Sequence, residues 1–186
     1  MKGALLALAA SCLMSSAMSQ ERAITKEVVV RAPVAAAFKA WATSEGIQSF
    51  FAPEAIVEPR PGGLFSIHFN PYARAGMKGA DGMRVLAVQP DRMISFTWNA
   101  PPHLPEARAQ HTVVIVRTEA QGEDRTRVRL THLGWGEGGQ WDEAFKYFDG
   151  AWSRVLANLE KRFAEKPMDW TEWLARMKAY EDGQRK

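Results

Sequence analysis

The chain has 186 residues, of which 46% are hydrophobic, 24% charged and 10% aromatic, so disordered, collagen-like and coiled-coil classes are excluded. Its single cysteine excludes a disulfide framework and any multi-cysteine zinc or iron–sulfur centre. A net charge of +3 is too balanced to argue for nucleic acid or an acidic membrane as partner.

The first element in chain order is an address. Met1-Lys2-Gly3 is a short basic start, Ala4 to Ala10 is apolar, and Ala17-Met18-Ser19 offers small residues at a cleavage site. This is the pattern of a secretory signal peptide over residues 1–19, cut before Gln20. A lipid anchor on Cys12 is the lesser alternative. Without the leader the chain has no cysteine and 23 basic against 21 acidic residues, which suits a periplasmic or secreted protein. No later stretch reaches transmembrane length.

Ile24 to Arg31 reads as a strand, and Pro33 opens a helix whose apolar face is Val34, Phe38 and Trp41. A second short helix carries Ile47, Phe50 and Phe51 and ends before Pro53. Strands follow at Ala55–Glu58, Leu64–Phe69, Met83–Val88, Met93–Trp98, Thr112–Glu119 and Thr126–Leu133, with turn residues between them. Segments 70–82 and 99–110 read as loops. Trp141, Phe145, Phe148, Trp152, Val155, Leu159 and Phe163 then repeat at helical spacing, the strongest apolar stripe in the chain. Burying all seven would contribute roughly 10–20 kcal/mol gross. After Pro167, Trp170, Trp173, Leu174, Met177 and Tyr180 make a second stripe, which either packs back on the domain or docks a protein partner. Strands grouped apart from helices give an α+β class, with six or seven antiparallel strands curved around the long helix. Gly62 and Gly63 are expected at the opening of any cavity between the two.

These pieces resemble a known family. Ala32-Pro33 with Phe38 and Trp41, Pro61-Gly62-Gly63-Leu64-Phe65, Ile94-Ser95-Phe96-Thr97-Trp98 and Thr131-His132-Leu133-Gly134-Trp135 occur in the order found in the START-like, or SRPBCC, superfamily. The chain is most similar to the branch named for the activator of heat-shock-protein-90 ATPase. The resemblance spans about residues 22–164 and implies the helix-grip fold. It makes residues 20–164 the domain and 165–186 an extension outside the family pattern.

The candidate ligand-binding residues are Trp41, Phe65, Phe96, Trp98, Trp135, Phe148 and Trp152 as cavity lining, with His132 as the orienting polar group. His68 falls opposite Phe65, Ile67 and Phe69 and is expected to be solvated. His103 and His111 match no metal-ligand spacing, and the sequence holds no Gly-x-Ser-x-Gly elbow, cysteine nucleophile or phosphate loop. No catalytic residue, cofactor or metal is assigned. The leading expectation is a domain that binds a small hydrophobic or lipid-like molecule without transforming it, with loops 70–82 and 99–110 gating access. The resemblance implies two alternatives. One is a co-chaperone acting on heat-shock protein 90; the other is a cyclase- or aromatase-like enzyme using His132 as acid or base.

Overall fold

The computed structural model describes residues 21–185, so the expected leader and Cys12 lie outside the described residues. Strand β1 (Ile24–Val30) leads into helix α1 (Val34–Ala42) and the short α2 (Ser44–Gln48). Thr43 caps α2 by accepting the Gly46 N–H at 3.0 Å. A Cβ on Gly46 would stand 2.4 Å from the Lys39 carbonyl oxygen, so only glycine lets the two helices pack this closely.

Strands β2 (Glu54–Val57), β3 (Phe65–His68) and β4 (Gly79–Ala80) form a three-stranded antiparallel sheet. Strands β5 (Val85–Gln89), β6 (Met93–Trp98), β7 (Thr112–Ala120) and β8 (Thr126–Leu133) join β1 in a five-stranded sheet, in the order β1-β8-β7-β6-β5. The antiparallel sheet and long helix match the expected α+β class. The eighth strand, β4, has two residues and is too short to leave an alternation pattern. A short helix, α3 (Pro105–Arg108), lies within the segment expected to be wholly loop.

Gly62 and Gly63 do not open a cavity. The Gly62 N–H donates to the Val85 carbonyl at 2.8 Å and the Val85 N–H to the Gly63 carbonyl at 2.9 Å, so this turn splices the two sheets. A Cβ on Gly63 would meet the Glu58 carbonyl oxygen at 2.3 Å.

Helix α4 (Gly139–Ala164) lies against β1, and α5 (Thr171–Gln184) follows it. The buried line of α4 is Ala144, Phe148, Trp152, Leu156 and Leu159. Trp141, Phe145, Val155 and Phe163 are only half-buried, so the apolar stripe is wider than the surface the helix packs against.

A buried relay joins this helix to the sheet. Trp152 on α4 donates its indole N–H to His132 Nδ1 on β8 at 2.9 Å. An indole only donates, so Nδ1 is the acceptor and Nε2 carries the proton. Nε2 then donates to Thr112 Oγ1 on β7 at 2.7 Å, and that hydroxyl donates to the Trp98 carbonyl on β6 at 3.3 Å. His132 is fully buried, and burial pushes its pKa down to about 3. A proton on Nδ1 would also set two N–H groups against each other.

The unfolded chain, with a histidine pKa of about 6.5, takes a proton that the folded chain refuses until about pH 3. Stability is therefore complete above about pH 6.5 and falls as the pH drops toward 3, by at most about 1.4 kcal/mol per unit from this group. Urea melts across that window should show the midpoint falling with pH. His132→Gln should be about 1–3 kcal/mol less stable at neutral pH and should lose this part of the dependence. An unchanged pH profile in the variant would count against the relay.

Candidate functional site

One flank of α4 is only partly covered by the rest of the protein. Tyr147, Ala151, Arg154, Val155 and Asn158 recur at helical spacing along it and line a cavity of about 980 Å³. That volume lies at the upper end of the roughly 300–1,000 Å³ usual for small-molecule sites. The floor is aromatic, built from Phe51, Phe69, Trp98, Phe148 and Trp152. Phe51 is its hub, with ring centroids at 5.5 Å from Phe69, 5.7 Å from Trp152 and 5.8 Å from Trp98. Such spacings place ring edges and faces in favourable contact.

Both loops expected to gate access contribute walls. The first brings Ala73, Arg74, Met77 and Lys78, and the second brings Pro101, Pro102 and His103. Arg108 ties them together. Its Nη2 donates to the carbonyls of Gly76 and Gly79, both at 2.7 Å, and its Nη1 donates to the Ala100 carbonyl. Asp81 stands 3.6 Å from the guanidinium and accepts the N–H groups of Gly76 and Gly79 at 3.2 and 2.9 Å. Burial lowers the Arg108 pKa, and the Asp81 charge opposes that shift. One ion pair therefore sets the spacing of the cavity mouth.

The last wall comes from the C-terminal segment. The Trp170 indole donates to the Gln48 carbonyl and the Trp173 indole to the Phe69 carbonyl, both at 2.6 Å. Asn70 Nδ2 donates to Glu181 Oε1 at 2.7 Å, and the Met168 N–H to the Ser49 carbonyl at 2.9 Å. Trp170, Trp173, Tyr180 and Glu181 face the cavity, yet no residue of α5 is buried. The expected apolar stripe thus packs only partly, with Trp173, Leu174 and Met177 half-buried, and hydrogen bonds add to what holds the helix in place.

Of the residues singled out from sequence, Trp98, Phe148 and Trp152 meet at the cavity. Trp41, Phe65 and Phe96 are completely buried and fill the core, with Phe65 and Phe96 stacked at 3.7 Å. Trp135 donates to the His132 carbonyl at 2.9 Å and lies tilted against the His132 ring, away from the cavity lining. His132 does not reach the cavity either, because both ring nitrogens are committed inside the protein. Phe51, Tyr147, Arg154 and the α5 residues were missed. Tyr147, Ala151, Arg154 and Asn158 form a mixed line beside the apolar stripe, and their shared helical spacing was the available signal.

His68 is buried rather than solvated, being 9% exposed. Its Nε2 lies 3.0 Å from Ser66 Oγ and its Nδ1 bonds Glu54. Serine, histidine and carboxylate occur here in the order of a nucleophilic triad. None of the three lines the cavity, and Ser66 Oγ is already held by the Gly82 N–H at 3.1 Å. The trio fastens β2 to β3 and to the turn before β5.

No curated protein matches the sequence. Among solved structures, a Mesorhizobium loti protein is 21% identical with a TM-score of 0.62, covering 79% of this chain and 100% of its own. The Aha1 dimer from Colwellia psychrerythraea is 17% identical with a TM-score of 0.60, covering 78% and 98%. CalU16 from Micromonospora echinospora is 19% identical with a TM-score of 0.58, covering 87% and 84%. These likenesses show a shared fold. The family model described as "Activator of Hsp90 ATPase homolog 1-like protein" matches residues 31–164, and the chain belongs to that family.

Proposed function

We propose that this protein binds a hydrophobic small molecule in the cavity beside α4, without transforming it, after export from the cytoplasm. One observation carries the reading: four of the seven tryptophans converge on a space of about 980 Å³ that side chains leave unfilled. Apolar burial against these rings would supply affinity, at about 25 cal/mol per Å². The loops tied by Arg108 and the hydrogen-bonded α5 would control access. The buried histidine best suited to acid–base work is locked into the fold, which favours binding over catalysis. Export rests on residues 1–19, and it separates this reading from action on a cytosolic chaperone.

The neutral fluorophore N-phenyl-1-naphthylamine tests the binding. It should bind the wild-type protein with a blue-shifted emission, and Ala151→Trp should weaken it about tenfold or more by filling the space. Equal binding by the two proteins would remove the cavity as the site.

Trp170→Ala combined with Trp173→Ala should lower the melting temperature only slightly, because no residue of α5 is fully buried, while probe dissociation becomes about tenfold faster. A large loss of stability instead would make α5 part of the core. Amino-terminal sequencing of protein from a periplasmic extract should begin at Gln20; an intact Met1 on cytosolic protein would contradict export.

A further inference from the structure

The polar groups around the cavity are not evenly signed. Three cations line it, Arg74 and Lys78 from the loop before β4 and Arg154 from α4, against one carboxylate, Glu181. Glu181 is engaged by Asn70 at 2.7 Å, and none of the three cations has a carboxylate within 4.0 Å among the described residues. Arg154 is exposed, and its Nη1 lies 3.4 Å from where a Cβ on Gly150 would be, so the missing side chain leaves the guanidinium room along the helix. The cations stand beside an aromatic floor, where the neighbouring rings exclude part of the solvent and strengthen a charge-assisted hydrogen bond.

Resting on the cavity reading above, we infer that the ligand is an anionic amphiphile: an apolar body lies on the tryptophan floor and one acidic group sits among Arg74, Lys78 and Arg154. A neutral hydrophobe fills the same space but leaves three like charges uncompensated at its edge. A cationic ligand is opposed by them. The two guanidinium groups can each hold a carboxylate or a similar oxyanion in a two-pronged bond, while the lysine adds a point charge. Arg108 is not counted among them, since it does not line the cavity and its Nη groups hold the loop carbonyls.

The test compares matched acid and alcohol pairs, decanoate with decan-1-ol and 2-naphthoate with 2-naphthalenemethanol, as competitors of N-phenyl-1-naphthylamine. At about pH 8 both acids are ionised. Each acid should bind about tenfold or more tightly than its alcohol at low salt, and the gap should shrink at about 0.5 M sodium chloride. In the triple variant Arg74→Gln, Lys78→Gln, Arg154→Gln the gap should close, the acids losing about tenfold or more in affinity relative to their alcohols. Equal binding of acid and alcohol by the wild type, or a gap that survives in the triple variant, would overturn the inference and leave the cavity reading intact. If neither pair nor the neutral probe binds, the cavity reading falls and the inference with it.

Discussion

The arrangement depends on the hydrogen-bonded relay from Trp152 through His132 and Thr112 to the Trp98 carbonyl. Because the apolar stripe of α4 is wider than the surface it packs against, hydrophobic contact alone leaves a range of rotations, since burial is proportional to area and has no direction. The relay supplies the direction. It links α4 to β8, β7 and β6 at one level and leaves no ring nitrogen of the buried histidine unpaired. Its two ends are tryptophans, and both rings form the cavity floor. The bond that fixes the rotation of the helix therefore also decides which flank faces the open space.

The family domain and the segment after it contribute differently. Residues 31–164 carry every strand but β1, together with the relay, the aromatic floor and all three rim cations. Residues after 164 add a wall that is fastened by two indole N–H groups, one backbone N–H and one amide–carboxylate contact. Tryptophan suits this position because one side chain offers an apolar face to the cavity and a donor to the backbone behind it. A wall held by a few hydrogen bonds at the surface costs little to displace, since water replaces the lost partners. The core wall and the hydrogen-bonded wall thus differ in kind.

Much of the fold was legible because it is written in periodicity. Met93–Trp98 is legible to the residue from the hairpin turn before it, Thr126–Leu133 from its alternation, and α4 to within two residues from its aromatic spacing. The site was only partly legible. Phe65, Phe96 and Trp41 look the same in sequence as Trp98 and Trp152, because an aromatic ring that fills a core and one that lines a cavity satisfy the same apolar pattern. Only the three-dimensional rotation of α4 separates them. His132 stood out as a polar residue on an apolar face, but whether such a group serves a ligand or the protein depends on partners twenty positions away, Thr112 and Trp152. His68 was misplaced for a related reason: Glu54 and Ser66 bury it on a face that alternation assigns to solvent. The rim cations left no pattern beyond charge, since Arg154 reads as an ordinary exposed residue of a helix.

The central claim is that four tryptophans face one ligand cavity while Trp41 belongs to the core. The indole N–H signals in a ¹⁵N-labelled protein resolve this directly on titration with N-phenyl-1-naphthylamine. The account predicts saturable shifts for Trp98, Trp152, Trp170 and Trp173, with Trp41 unmoved. Signals that stay still throughout, or shifts confined to Trp41 and Trp141, would contradict it.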